Sequence, residues 1–457
     1  MLKQLCLIIF LPIFLLIGCN NDPNTTTDDG VIFPEIADVD RLPKFKINTD
    51  DASIVDEPKI DAELVIVEAG VETHRGMIGI EIRGSSSQQF PKKSFGFETR
   101  DEANEDVDAS LLGFPEEEDW ILYAPYSDKS LVRNHLIYEL SNDMGRYASR
   151  SKLAEVYIND SYNGMYVFME KLKRDANRID INKLKEDENT GEDLTGGYIL
   201  KLDKADGFNE TLYTETNSFP SQVDPLYSTA GQQIHFLYDD PDQDDITPEQ
   251  KTYISTYIHD FETALASDMF TDPELGYRAY IDTDSFIDFL LLNELSNNVD
   301  GYRLSTWLVK DKNEKLKMGP IWDFNLAFGN ANYCGGDATN VWAYRFNERC
   351  PSDPFQIPFW WNRLLEDPAF VTQVQNRWTA LRNSTFSDSY ILEKIDSYVS
   401  QLQTSGSTQA NFSTWQVLGI YVWPNNFIGS SHGSEITYLK DWVSTRLSWL
   451  DTEIASL

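Results

Sequence analysis

The chain has 457 residues and a formal net charge of −36 at pH 7. This excess of negative charge excludes a nucleic-acid backbone as the partner, because phosphate groups require a basic surface. It also disfavours docking on anionic lipid through charge, and general solubility is the simplest reason for it. Aromatic residues make up 13% of the sequence, which predicts a well-packed globular protein rather than a disordered one.

The first residues, MLKQLCLIIFLPIFLLIGC, have the features of a bacterial lipoprotein signal. A lone Lys3 precedes an apolar run that is short for a membrane span, and the run ends in a lipobox-like sequence, LIGC. We therefore predict a signal peptide over residues 1–18 and lipidation of Cys19. The expected location is the bacterial cell envelope, at the outer membrane or the cell surface, with the lipid as the sole membrane attachment.

Residues 19–40 are polar, acidic and poor in aromatic side chains, which is typical of a flexible tether. The remaining chain is long enough for two lobes with substantial cores. Strand-like patterns dominate up to residue 205, and loops and helices dominate afterwards. We therefore predict an N-terminal lobe over residues 41–205 and a C-terminal lobe with a helical tail over residues 206–457.

Two cysteines, Cys334 and Cys350, remain after the signal peptide and Cys19 are set aside. An even pair in an exported protein predicts a disulfide. Zinc is a poor alternative, since the sequence has no Cys-x-x-Cys or His-Glu-x-x-His pattern.

Two aspartates flank a predicted hairpin in the middle of the chain. A buried helix is expected over residues 286–296, and strands over 302–309 and 315–318, so Asp300 and Asp323 stand at element ends on either side of the hairpin. Such a pair suits phosphoryl transfer, in which one carboxylate orients a hydroxyl and the other holds magnesium. Aspartates are also common turn residues, and structural caps are the alternative interpretation.

Candidate phosphate-binding groups lie further upstream. The strand predicted over residues 77–82 leads into Arg83 and a small-residue loop containing Ser85, whose hydroxyls and amides could approach phosphate oxygens. In the next strand Lys93 shares a face with core-facing aromatics, where a lone charge requires an anion or a carboxylate such as Glu139 or Glu170. Lys92 is the alternative to Lys93.

Three segments in this order resemble the CotH kinase family, the atypical kinases similar to spore coat protein H. They are RGSSSQQFPKKSFGFE (residues 83–98), DKSLVRNHLIYEL with VYINDSYNGMYVFMEKLKR (128–140 and 156–174), and NNVDGYRLSTWLVKD with GPIWDFNLAFGN (297–311 and 319–330). The resemblance implies an α/β, two-lobed, atypical protein-kinase-like fold with a β-rich N-terminal lobe and a helix-rich C-terminal lobe. It also implies transfer of the γ-phosphoryl group of ATP to a protein Ser or Thr hydroxyl, with Mg²⁺ as cofactor.

The resemblance also assigns roles to residues of this chain. The catalytic group comprises Asp300, Lys93, Glu139 and Glu170. The nucleotide-binding group comprises Arg83, Ser85, Lys92, Lys93 and Arg133. The metal-binding group comprises Asp323, Asn325, Asn298 and Ser305.

The sequence departs from the kinase pattern at two positions. Ser305 stands where a catalytic loop carries a metal-binding Asn, and Asn325 stands where the family often has a second acid. Two alternatives to a protein kinase therefore stay open. One is a non-catalytic surface lipoprotein that binds glycan or host protein, and the other is a nucleotidyl transferase using the same site.

Overall fold

The computed structural model of the chain describes residues 41–205 and 212–457. The predicted signal peptide, Cys19 and the tether lie outside the described residues. The predicted lobe boundary at residues 205 and 206 stays a prediction.

The N-terminal part is a closed barrel of seven strands. In chain order they are β1 (Lys44–Asn48), β2 (Ile60–Glu68), β3 (Val71–Arg83), β4 (Ser94–Arg100), β5 (Asp119–Tyr123), β6 (Ser151–Ile158) and β7 (Ser161–Glu170). The order around the barrel is β1-β2-β3-β4-β5-β7-β6, and a parallel pairing of β1 with β6 closes it. All other neighbours are antiparallel.

The barrel forms because apolar residues recur at every second position of its strands. In β2 the inward positions are Ala62, Leu64 and Ile66, all buried. The interior is closed by aromatic rings, with Phe168 lying 4.9 Å from Phe45 between ring centroids. This core is separate from the larger core beneath the helices.

A second, antiparallel sheet follows the barrel. Its strands are β8 (Tyr198–Leu202), β9 (Ser218–Pro220), β10 (His235–Asp240), β11 (Thr306–Lys310) and β12 (Lys317–Met318). They are ordered β12-β11-β8-β10-β9. One face of β8 packs Tyr198, Leu200 and Leu202 into the large core, so its alternate residues point to the opposite face.

The described residues contain nine α-helices. They are α1 (Arg133–Asp143), α2 (Pro248–Ala266), α3 (Thr283–Ser296), α4 (Phe346–Arg349), α5 (Trp360–Leu364), α6 (Pro368–Arg382), α7 (Asp388–Thr404), α8 (Ser407–Thr414) and α9 (His432–Ala455). None of them has both the length and the apolarity of a membrane-spanning helix.

Helix α3 is the centre of the helical part. Asp282 caps its N-terminus by accepting a hydrogen bond from the N–H of Ser285, and Asn297 ends it in the left-handed conformation (φ 43°). Every residue from Ser285 to Ser296 is buried. The helix therefore fixes the position of the turn that follows it.

The expected fold class is confirmed, since a β-rich N-terminal region precedes a helical C-terminal region. Cys334 and Cys350 form the predicted disulfide, with 5.8 Å between their Cα atoms. One local expectation is wrong. Residues 302–305 were expected to begin a strand, but they form a turn in which Tyr302 and Ser305 have positive φ.

Candidate active site

A cavity of about 440 Å³ lies between the outer face of the barrel and the second sheet. Alternation along β5 sends Trp120 into the barrel and leaves Ile121 and Tyr123 to line the cavity. Lys171, directly after β7, lies on the same wall. The polar side chains of this wall therefore belong to residues at the ends of strands.

The opposite wall is the outward face of β8 and β11. Lys201 pairs in register with Trp307, and Asp203 follows directly after β8. Asp239 receives a hydrogen bond from the indole N–H of Trp307 (3.1 Å) and forms an ion pair with Lys201 (3.1 Å). These side chains give the wall both charges and an aromatic surface.

Asp300 enters the cavity from the turn after α3. Its Oδ1 accepts hydrogen bonds from Arg303 (2.8 Å) and from the hydroxyl of Tyr333 (3.3 Å). A Cβ at Gly301 would lie 2.2 Å from Oδ1 of Asn293 on α3, so only glycine fits there. Close packing of this turn against the buried helix holds Asp300 in place.

Asp323 enters the same cavity after β12, with φ 59°. Helix α1 holds this segment through two side chains one turn apart. The N–H of Asp323 donates to the hydroxyl of Tyr138 (3.1 Å), and the N–H of Phe324 donates to Oδ1 of Asn134 (2.8 Å). The Tyr138 ring also stacks on Trp322 at 6.0 Å.

Three aspartates face one another across this cavity. Burial raises the pKa of Asp323 to about 7, and the negative charges of Asp300 and Asp203 act in the same direction, whereas Arg83 opposes the shift. Within the described chain no hydrogen bond or ion pair reaches the Asp323 carboxylate. A cation between these groups would remove the repulsion.

The donor set fits magnesium. Carboxylates, the amide of Asn325 and the hydroxyl of Ser305 are hard oxygen ligands, and all line the cavity. In the part of the chain that the structure describes, the three aspartates do not bring one oxygen each within 4.8 Å of one another. Mg²⁺ usually keeps waters and takes only one or two carboxylates together with substrate phosphates, so a looser set is sufficient.

The two positions that depart from the kinase pattern are both in the cavity. Oγ of Ser305 lies 3.5 Å from Oδ2 of Asp203, so a carboxylate stands beside the hydroxyl that replaces the expected Asn. Asn298 is different. It is buried away from the cavity lining, and its Oδ1 accepts a hydrogen bond from the N–H of Asp300 (3.2 Å). Its amide shapes the turn instead of facing a metal.

Neither predicted lysine reaches the cavity. Nζ of Lys93 donates to the carbonyl oxygen of Gln88 (2.5 Å). Lys92 is buried and donates to the carbonyl oxygen of Met165 (2.5 Å) and to Oδ1 of Asn411 on α8 (2.9 Å). It therefore ties α8 to the barrel. The period of two along β4 could not show this, because both lysines precede the strand.

Three other assigned residues, Glu139, Glu170 and Arg133, also lie outside the cavity lining. Glu139 pairs with Lys394 (3.3 Å), and Glu170 pairs with Arg150 (2.6 Å). Arg133, assigned to nucleotide binding, is buried and pairs with Asp128 (2.5 Å). It acts as an internal hydrogen-bonding centre.

Four cations do line the cavity: Arg83, Lys171, Lys201 and Lys204. Ser85 lies there too. Of these, the sequence identified Arg83 and Ser85 and missed the three lysines together with Asp203. The sequence positions of Lys171 and Asp203 could have identified them, because both residues directly follow buried strands and side chains at strand ends gather at the edge of a sheet.

Comparison with known proteins gives one family match. The model of the family described as CotH kinase protein matches residues 80–450, more than half of the chain. Curated protein sequences give no match. Among solved structures, that of a Helicobacter pylori proinflammatory kinase, CtkA, aligns at 10% identity and a TM-score of 0.28, over 76% of this chain and 94% of that one. A TM-score of this size does not establish structural similarity. On the family match, the chain belongs to the CotH kinase protein family.

Proposed function

We propose that the chain is a magnesium-dependent phosphotransferase that moves the γ-phosphoryl group of ATP to a Ser or Thr hydroxyl of a protein. The observation that carries the proposal is the cavity in which Asp203, Asp300 and Asp323 meet four cations. Phosphoryl transfer requires mainly positioning and charge stabilisation, and this set of groups supplies both.

Asp300 is the residue that would orient the acceptor. Its Oδ1 is held by Arg303 and Tyr333, whereas its Oδ2 has no hydrogen bond to any described residue, and the residue lines the cavity. A hydroxyl placed there would donate to Oδ2 and leave its proton on that oxygen as its new bond to the γ-phosphorus forms. The bond from the γ-phosphorus to the oxygen shared with the β-phosphate breaks at the same time, and ADP leaves with that oxygen.

The cavity cations would hold the nucleotide phosphates. The lining carries four cations and four aspartates, so it is locally neutral in a chain with a net charge of −36. Bound Mg²⁺ would supply the positive charge that the phosphates require beyond the charge of the cavity cations. Asp323, Asp203, Asn325 and Ser305 are the residues that would hold it.

An aromatic wall is available for the base. The rings of Trp307 and Trp322 meet edge to face at 6.0 Å, and the guanidinium of Arg83 lies 5.7 Å from the Trp322 ring. Flat apolar surfaces of this kind suit a purine. Arg83 would then lie between the base and the phosphates.

The proposed location is the bacterial envelope, with lipidated Cys19 as the anchor. The lipobox-like sequence supports it, and so does the disulfide between Cys334 and Cys350, since disulfides persist in oxidising compartments. ATP is scarce outside the cytoplasm, so the donor would have to be supplied locally.

Two measurements on the full-length chain test the proposal. Calorimetry is expected to detect ATP binding that requires Mg²⁺ and is abolished by EDTA. Mass spectrometry of acceptor proteins incubated with ATP and Mg²⁺ is expected to find added phosphate on Ser or Thr.

The alternatives predict different results. Added nucleotide monophosphate would identify a nucleotidyl transferase. An intact protein that binds no nucleotide but binds glycans would be a surface-binding lipoprotein on the same scaffold. Asp244→Asn, a change in an exposed turn, is the matched control for substitutions of the cavity aspartates.

A further inference from the structure

A loop without charged residues forms part of the cavity rim. We define residues 417–429, VLGIYVWPNNFIG, as the rim loop. Val417 and Val422 are buried, whereas Tyr421 is 49% exposed and Trp423 is 53% exposed. Ile420 and Ile428 are exposed as well. Apolar surface concentrated beside a cavity is typical of a binding surface.

The rim loop is held in place from below. The amide of Asn425 is buried and donates to the carbonyl oxygen of Ser127 (2.7 Å) and to Oδ1 of Asn330 (2.9 Å). The N–H of Asn332 donates to the carbonyl oxygen of Pro424 (2.9 Å). The exposed rings are therefore presented by a fixed backbone, which lowers the entropy lost on binding.

Trp423 connects this surface to Asp300. Its indole lines the cavity and lies parallel to the ring of Tyr333, with 6.4 Å between centroids and 6° between planes. The hydroxyl of Tyr333 donates to Oδ1 of Asp300. A side chain packed on Trp423 would belong to a residue close to the hydroxyl that Asp300 orients.

We propose that the rim loop binds the acceptor polypeptide through an aromatic or large aliphatic side chain next to the accepting Ser or Thr. The absence of charge in the loop makes this recognition apolar, and Trp423 is its central contact. Large aromatics in such positions carry most of the affinity of an interface. The inference rests on the proposed function for the identity of the acceptor.

A positional-scanning library of Ser-centred peptides, read in two ways, tests the inference. Direct binding of the labelled full-length protein is expected to favour peptides with an aromatic or large aliphatic residue within a few positions of the Ser. Trp423→Ala is expected to weaken that binding about tenfold or more. Met269→Ala, which removes an equally exposed apolar side chain (53%) outside the cavity lining, is expected to leave it unchanged.

Phosphorylation of the same library by ATP and Mg²⁺ provides the second reading. In the variant Trp423→Ala the KM for preferred peptides is expected to rise about tenfold and the KM for ATP to stay unchanged. A rise in the KM for ATP instead, or binding without apolar preference, would overturn the inference and leave the phosphotransferase intact. Selective binding of peptides with apolar side chains, without their phosphorylation, would support the binding role of the rim loop and reject the proposed phosphotransferase activity.

Discussion

Two buried carboxylates near α3 have opposite surroundings. Glu294, on α3, accepts hydrogen bonds from the N–H groups of Ala343 (2.8 Å) and Tyr344 (2.9 Å) and from the hydroxyl of Tyr302 (3.0 Å). It also pairs with Arg446 of α9 at 3.1 Å, and both side chains are fully buried. Burial raises the pKa of Glu294, and the charge of Arg446 together with these hydrogen bonds opposes that shift.

Asp323 lies in the cavity with none of these partners. Its neighbours include the like charges of Asp300 and Asp203, and burial together with these charges raises its pKa to about 7. The contrast supports a structural role for Glu294 and the proposed ligand-binding role for Asp323. Removing one partner of a buried ion pair leaves an uncompensated charge, whereas a buried carboxylate without a partner costs stability until a cation binds.

The largest effect is expected for Asp323→Asn. Transfer of phosphate should fall about 10³-fold, because the variant loses a charged metal ligand while the other donors remain. The amide keeps the backbone, since Asn tolerates φ 59°. Stability in EDTA should rise by on the order of 1 kcal/mol, because a repelling charge is removed. Radiolabelled ATP and chemical denaturation measure the two effects.

Asp244→Asn should change neither quantity. A variant Asp323→Asn that kept its activity, or lost stability in EDTA, would contradict the role of Asp323 as an unsatisfied charge.

Arg446→Met tests the other member of the comparison. It leaves the Glu294 charge buried without its cation, and removal of one partner of a buried pair costs about 3–5 kcal/mol. The double variant with Glu294→Gln should recover part of this loss, because no net charge then remains buried. Urea denaturation measures both free energies of unfolding. A single variant as stable as the parent chain would show that Glu294 has no structural role.

The sequence predicted part of the fold. The strand expected over residues 77–82 lies within β3, and the helix expected over residues 286–296 lies within α3. Residues 174–193 carry many charged side chains but form no α-helix. They contain turns, bends, an isolated β-bridge between Arg174 and Ile179 and the first residue of a short 3-10 helix. Local propensity without an apolar face to bury could not form a helix there.

The site was only partly predictable. Asp300 and Asp323 could be inferred because one hairpin joins them. Lys171 directly follows β7, but this position alone does not show that it lies near Lys201. The two lysines line one cavity only because the barrel packs against the second sheet. Lys92 and Lys93 precede their strand, so the alternation of side chains along the strand did not show where they point.

Tyr138→Phe is expected to give a smaller effect. It leaves the N–H of Asp323 without its acceptor, which costs about 1–2 kcal/mol and loosens the segment that carries the carboxylate. The kcat should fall about tenfold with the KM for ATP little changed, if Tyr138 positions Asp323. Steady-state kinetics separate these quantities.

Tyr166→Phe is the matched control. Tyr166 donates to the carbonyl oxygen of Lys93 in the barrel, so the same chemical change should cost stability without changing kcat. An equal loss of kcat in both variants would assign the effect of Tyr138 to general destabilisation.

His135 extends the comparison to a buried base. Its Nδ1 lies 2.8 Å from Oγ of Ser151, and its ring packs on Tyr398 at 4.4 Å. Burial lowers the pKa of His135 to about 3, and the charge of Lys394 acts in the same direction. Between pH 6.5 and 3 the unfolded chain therefore holds a proton at this site that the folded chain does not.

Stability should fall as the pH is lowered through this range, by about 1.4 kcal/mol per pH unit for this one group. His135→Gln removes the titrating group and should make the loss smaller by that amount between pH 6 and 5, whatever its effect at pH 7. Urea denaturation at both pH values gives the difference in slope. Equal slopes in parent and variant would mean that His135 can accept a proton in the folded state. Its surroundings would then resemble those of Asp323, which lacks hydrogen-bonding partners, rather than those of Glu294, which has them.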